Sequence, residues 1–143
     1  MPKKSNLDIK KLINVNNTSM KLPIKTILDS VEGLKTLSRL KLPIVLSFKV
    51  SKVIKEVDKE LQSFDEVKRK RVEELGEEVK DEKGNPTGNF TVTPKNMKAW
   101  TKEYKALLEN EVELKISKIK ISELTEEKIE PFVFAQLDWL IQE

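Results

Sequence analysis

From Pro43 to Leu75 the chain runs for more than thirty residues with no glycine and no proline after the first. Apolar residues recur along it at intervals of three and four: Leu46, Val50, Val53, Ile54, Val57, Leu61, Phe64, Val67 or Lys68, Val72 and Leu75. That spacing places them on one face of a helix. Proline suits the first helical position, and Gly76 stands where a helix commonly ends. At 1.5 Å per residue such a helix is a rod roughly 50 Å long. A chain of 143 residues is sized for one domain, and a rod of that length outruns what one small core covers. The sequence must cover the rest of the stripe with other elements or leave it for another protein.

A first helix is predicted from about Pro23 to Leu40, with Ile24, Ile27, Leu28, Val31, Leu34 and Leu37 as its stripe. Pro43 disfavours helical geometry in the residue before it and separates the two helices. Together they predict a long antiparallel helical hairpin. After Leu75 the pattern changes. Val79 on one side of Gly84-Asn85-Pro86, and Phe90 and Val92 on the other, predict a β-hairpin with a long loop. Gly84 and Gly88 lack the Gly-Lys-Ser/Thr ending of a phosphate loop.

Thr93-Pro94 predicts the start of a third helix that ends near Asn110. Its apolar face is Met97, Trp100, Tyr104, Leu107 and Leu108, and Trp100 at its centre is read as a core anchor against the helical hairpin, in preference to an exposed hot spot for a partner. Lys98, Lys102, Glu103, Lys105 and Glu109 make the solvated face. Val112, Leu114 and Ile116 then alternate, while Ile119 and Ile121 fall in the opposite phase. This predicts a strand broken near Ser117-Lys118, joining the β-hairpin as its third strand. Thr125 is a candidate cap. A short C-terminal helix from Pro131 carries Phe132, Ala135, Leu137, Leu140 and Ile141, with Trp139 on a neighbouring face, and closes the core. The fold class is therefore α+β and mainly helical: residues 20–143 form a single domain and residues 1–19 a basic, partly ordered arm.

Composition narrows the chemistry. The chain has no histidine and no cysteine, which removes the commonest acid-base residue, the commonest metal ligand, and every disulfide. It is read as non-enzymatic, with no cofactor, no metal and no small-molecule substrate. The carboxylate pairs Glu73–Glu77 and Glu74–Glu78 read as surface charge. No apolar stretch is long enough to span a membrane, and Met1-Pro2-Lys3-Lys4-Ser5 has no apolar segment behind it to make a secretory signal. The expected setting is the cytoplasm, away from membranes.

Charge is unevenly spread. Residues 1–52 carry 11 basic and 3 acidic groups, residues 53–121 carry 15 of each, and residues 122–143 carry 1 basic and 6 acidic. A basic beginning and an acidic end attract each other within one fold or between copies. The run Lys68-Arg69-Lys70-Arg71 supplies candidate nucleic-acid contacts. Asp65, Glu66 and Glu74 offer it helical partners instead, as Asp65–Arg69, Glu66–Lys70 and Lys70–Glu74, and a salt-bridged surface is preferred.

The order of these segments resembles a family. A leucine-rich helix precedes a Leu-Pro break, and a long helix ends in Arg71-Val72-Glu73-Glu74-Leu75-Gly76 before the turn Asp81-Glu82-Lys83-Gly84-Asn85. Leu107-Leu108-Glu109-Asn110-Glu111-Val112-Glu113-Leu114 and then Ile119-Lys120-Ile121-Ser122-Glu123-Leu124 follow. The pattern is similar to small proteins of unknown function encoded by tailed bacteriophages and prophages of Gram-positive bacteria, over roughly residues 20–142. The resemblance brings no catalytic residues and leaves residues 1–19 outside it. It implies an accessory or assembly role in the host cytoplasm. The functional expectation is protein–protein interaction, including with copies of itself. Nucleic-acid binding through the basic first third and residues 68–71 is the alternative.

Overall fold

The computed structural model describes residues 18–124 and 128–143. Among them the chain is a mainly helical α+β fold. Its axis is the predicted rod, here α3, Ile44–Leu75. Leu46, Val50, Val53, Val57 and Phe64 are buried along it, so the predicted stripe does face the core. Burial fades toward the far end: no α3 residue after Phe64 is fully buried, and Val67 is exposed.

The predicted first helix is not continuous. Strand β1 (Thr18–Pro23) leads into two short helices, α1 (Ile24–Asp29) and α2 (Val31–Ser38), separated at Ser30. Residues 1–17 of the predicted arm lie outside the described residues, and Thr18 and Ser19 already belong to β1. The break at Ser30 has a physical cause. Its hydroxyl shares its one proton between the carbonyl oxygens of Thr26 (2.6 Å) and Gln136 (3.1 Å), and it accepts the indole N–H of Trp139 at 2.7 Å. A serine that bonds back to the preceding turn weakens a helix where it sits.

Beyond α3, strands β2 (Gly76–Lys80) and β3 (Pro86–Val92) form the predicted hairpin. The Asp81 carboxylate closes its loop by accepting the N–H groups of Lys83 (2.9 Å) and Asn85 (2.8 Å), and Gly84 supplies a φ of 80°. A 3₁₀ turn, Pro94–Asn96, then leads into α4, Met97–Glu109. Strand β4 (Glu111–Ile116) lies where alternation placed it, but its partner differs from the prediction. It pairs antiparallel with β1, with Leu114 opposite Met20 and Val112 opposite Leu22, and the β2–β3 hairpin stays two-stranded. Thirteen residues of α4 carry the chain about 20 Å back along α3 before β4 begins. There the apolar alternation of β4 meets that of β1, and the shared face covers α3.

Strand β5 (Ile119–Lys120) follows a break at Ser117-Lys118, as the phase change predicted. After a second 3₁₀ turn (Ile121–Leu124), helix α5 spans Pro131–Gln136. It stops short of the predicted length. Leu137, Trp139 and Leu140 enter the core from a turn, and β6 (Ile141–Gln142) pairs parallel with β5. The predicted cap at Thr125 lies outside the described residues. The core gathers Ile27, Leu34 and Leu37 from α1 and α2, the first half of α3, β4, and Val133 to Leu140. Among the described residues no helix is long and apolar enough to cross a membrane.

Ser30→Ala removes the acceptor of a buried indole N–H and is expected to cost about 1–3 kcal/mol. Denaturant melts of Ser30→Ala, Trp139→Phe and the double variant give the coupling. A double variant less destabilised than the sum is expected, and strict additivity would refute the pairing.

Candidate partner-binding groove

The far end of α3 and the length of α4 bound an open groove. Their junction is set by Gly76. A Cβ there would lie 2.2 Å from the Thr91 carbonyl oxygen and 2.7 Å from that of Val72. Gly76 occupies the predicted cap position, but with extended backbone at φ −127°. Lack of room, not a left-handed conformation, demands glycine. The last helical carbonyl, that of Leu75, accepts three hydrogen bonds: from the N–H (3.3 Å) and hydroxyl (3.2 Å) of Thr93, and from the Asn96 amide at 2.9 Å. Thr93 thus caps the end of α3 rather than the start of α4, where it makes no side-chain cap bond.

From this junction α4 lies beside α3 through aromatic and charged contacts. The Phe64 and Tyr104 ring centres are 6.2 Å apart, and Trp100 stacks on Tyr104 at 5.2 Å with 24° between planes. Lys68 holds its ammonium 5.5 Å from the Tyr104 ring centre and 5.9 Å from that of Phe64, a cation–π position. Arg71 grips Glu103 with two parallel bonds of 2.9 Å and reaches Glu74 at 2.7 Å. This hydrogen bonding holds the Glu103 carboxyl below its ordinary range and pushes the Arg71 guanidinium further up, with Glu103 contributing more than Glu74.

Between the helices runs an open groove of about 560 Å³. Val67, Trp100, Tyr104 and Leu107 give it an apolar floor, and Lys70, Arg71, Glu74 and Glu103 line its sides. Trp100 is therefore not the predicted core anchor. It is half-buried, and no residue of α4 is fully buried. The apolar stripe marked which face of α4 turns from water, but α3 covers that face only in part.

The basic run divides by role. Lys68 and Arg71 are engaged with α4, while Lys70 lines the groove and Arg69 is exposed, neither in an ion pair among the described residues. The predicted pairs Asp65–Arg69, Glu66–Lys70 and Lys70–Glu74 do not form. Arg71–Glu74 and Arg71–Glu103 form instead. Glu103 was read as part of the solvated face, yet it lies three residues after Trp100 and four before Leu107, on the same stripe. That spacing was the signal for it. The carboxylates of the Glu73–Glu77 and Glu74–Glu78 pairs are engaged elsewhere or exposed: Glu74 bonds Arg71, and Glu78 accepts the Gly88 N–H at 3.0 Å. Among the described residues no three metal-ligating side chains converge.

Two outcomes follow from this geometry. Trp100→Ala loses one stacked ring and partial burial, so it is expected to cost about 1–2 kcal/mol in a denaturant melt, well below a core aromatic. Because Glu103 has a lower pKa folded than unfolded, its bond to Arg71 adds stability above the ordinary glutamate pKa of about 4.3 and loses it as pH falls through the folded value. Stability curves of the wild type and Glu103→Gln should therefore converge in acid. Curves that stay parallel would remove this bond from the account.

Compared with protein-family models, with curated proteins and with solved structures, the chain gives no match.

Proposed function

We propose that this protein is a non-catalytic interaction protein, in a phage or prophage assembly or accessory role in the host cytoplasm. It seats an apolar segment of a protein partner in the groove between α3 and α4. The observation that carries the reading is the open apolar floor at Val67, Trp100, Tyr104 and Leu107, at an end of the molecule where no side chain of α3 beyond Phe64 is fully buried. A half-buried tryptophan beside an arginine has the composition of an interface hot spot. The rim is largely neutralised by its own Arg71–Glu103 and Arg71–Glu74 contacts. Lys68 and Lys70 line the groove without an ion pair among the described residues, so the fitting segment is apolar along one side and carries a carboxylate toward them. A chain without histidine or cysteine, whose groove charges pair with one another, favours binding over catalysis.

A second reading rests on the same place. Trp100 and Tyr104 lie beside Lys68 and Lys70, and aromatic rings next to cations suit single-stranded nucleic acid. The pairing of Arg71 and the mixed charge of the rim weigh against it.

The test is capture of partners from producing cells, followed by titration of the captured partner with purified protein. Val67→Asp places a charge on the floor at an exposed position and is expected to weaken binding at least tenfold, about 1.4 kcal/mol, with an unchanged melt. Equal binding by the wild type and Val67→Asp would sink the groove. Retention of single strands on a filter, falling steeply with salt, would favour the second reading.

A further inference from the structure

The opening turns of α3 carry a second surface that the groove does not use. Ile44 is 86% exposed, Val45 66% and Phe48 60%, while Leu46 and Val50 in the same turns are buried. The helix is thus anchored by its inner face, and the three apolar side chains are not part of it. Ile, Val and Phe are each poorer helix formers than the Lys and Glu that fill other exposed positions of α3. Three of them within five residues have no local reason to be there. Clustered exposed apolar groups mark contact sites more than scattered ones do.

The surface is also basic. The Lys52 ammonium sits 4.8 Å from the Phe48 ring centre, so charge and apolar area form one patch. Lys41, Lys52 and Lys55 are exposed and make no ion pair among the described residues, whereas Lys49 is held by Glu123 at 3.2 Å. A fitting occupant is apolar and acidic. The chain's own residues 1–17 are a poor match, since Lys3, Lys4, Lys10 and Lys11 stand there against Asp8. The other end of the chain is a good match. Residues 122–143 hold six acidic groups against one basic, Lys128; Glu123 is already held by Lys49, and at the start of α5 Glu130 and Pro131 are exposed beside Phe132, itself 37% exposed. Both surfaces are open in one molecule, so they do not cover each other there.

We infer that the Ile44–Val45–Phe48 patch with Lys52 docks the Glu130–Phe132 end of α5 from a second copy of this chain. Two unlike surfaces joined this way make a head-to-tail contact, which extends into rings or filaments. The groove lies at the opposite end of α3, about 30 Å from Phe48. The two surfaces are therefore separable by mutation.

Sedimentation velocity of the full chain, from low to high micromolar at low salt, tests the contact. The wild type is expected to gain mass with concentration and to lose it as salt screens the charges. Phe48→Asp, at an exposed position, should melt as the wild type does and stay monomeric. Lys52→Glu and Glu130→Lys should each weaken association roughly tenfold, and together restore it, as a close charge pair would. Val67→Asp should associate normally, which separates this contact from the groove. A wild type monomeric throughout overturns the inference and leaves the patch to a different partner. A Phe48→Asp chain that still associates overturns the patch, and a charge swap without rescue overturns α5 as its occupant.

Discussion

The hydroxyl of Ser30 is the point on which the compact half of the molecule turns. Ser30 is fully buried, and among the described residues no other polar or charged side chain is buried. It ties the preceding turn of α1, through Thr26, to the C-terminal segment more than a hundred residues away, through Gln136 at the end of α5 and Trp139 just after it. The Gln136 side chain returns the link by accepting the Gly33 N–H at 2.7 Å. Gly33 permits this approach, because a Cβ there would meet Gln136 Oε1 at 3.0 Å and Leu137 Cγ at 3.2 Å. A buried polar group is tolerated only when its hydrogen bonds are made, so the network fixes one docking position for the C-terminal segment. With that segment in place, Leu137 and Leu140 complete the cover over α2, and β6 can reach β5.

The far half is held differently. Its contacts are a three-ring aromatic group, one guanidinium–carboxylate grip and the capped carbonyl of Leu75, with little full burial behind them. Regions with few buried apolar contacts open at lower free energy than a core does. The same rod thus carries a rigid head and a looser end, and the looser end exposes the groove. The proposed binding role would gain from that division, because changes in the groove would leave the core in place.

Much of this could be read from the sequence where the cause was local. Pro43 and Gly76 bounded α3, Thr93-Pro94 bounded the turn into α4, Gly84-Asn85-Pro86 marked the loop, and the phase change at Ser117-Lys118 marked the end of β4. What escaped was set by distant contacts. Met20 and Leu22 are too few to announce a strand, and β1 exists because β4 lies beside it. Ser30 is unremarkable in a helical pattern until Trp139 and Gln136 arrive. The last turn kept a helical spacing of apolar residues although the helix had ended at Gln136. Trp100 was misplaced for a related reason: a stripe shows which face avoids water, and how much stands over that face is decided elsewhere in the chain.

That distinction also explains why the charges around the groove matter more for geometry than for stability. An ion pair this exposed contributes little to folding. A two-bond guanidinium–carboxylate contact is nevertheless directional, and it ties one turn of α4 to one turn of α3 at a fixed separation. Together with the Arg71–Glu74 bond, it pairs Arg71 and both nearby carboxylates with one another at the side of the groove. Under the proposed binding role, an occupant meets the apolar floor with Lys68 and Lys70 beside it, so shape and hydrophobic contact, with two cations to set direction, would decide what the groove accepts.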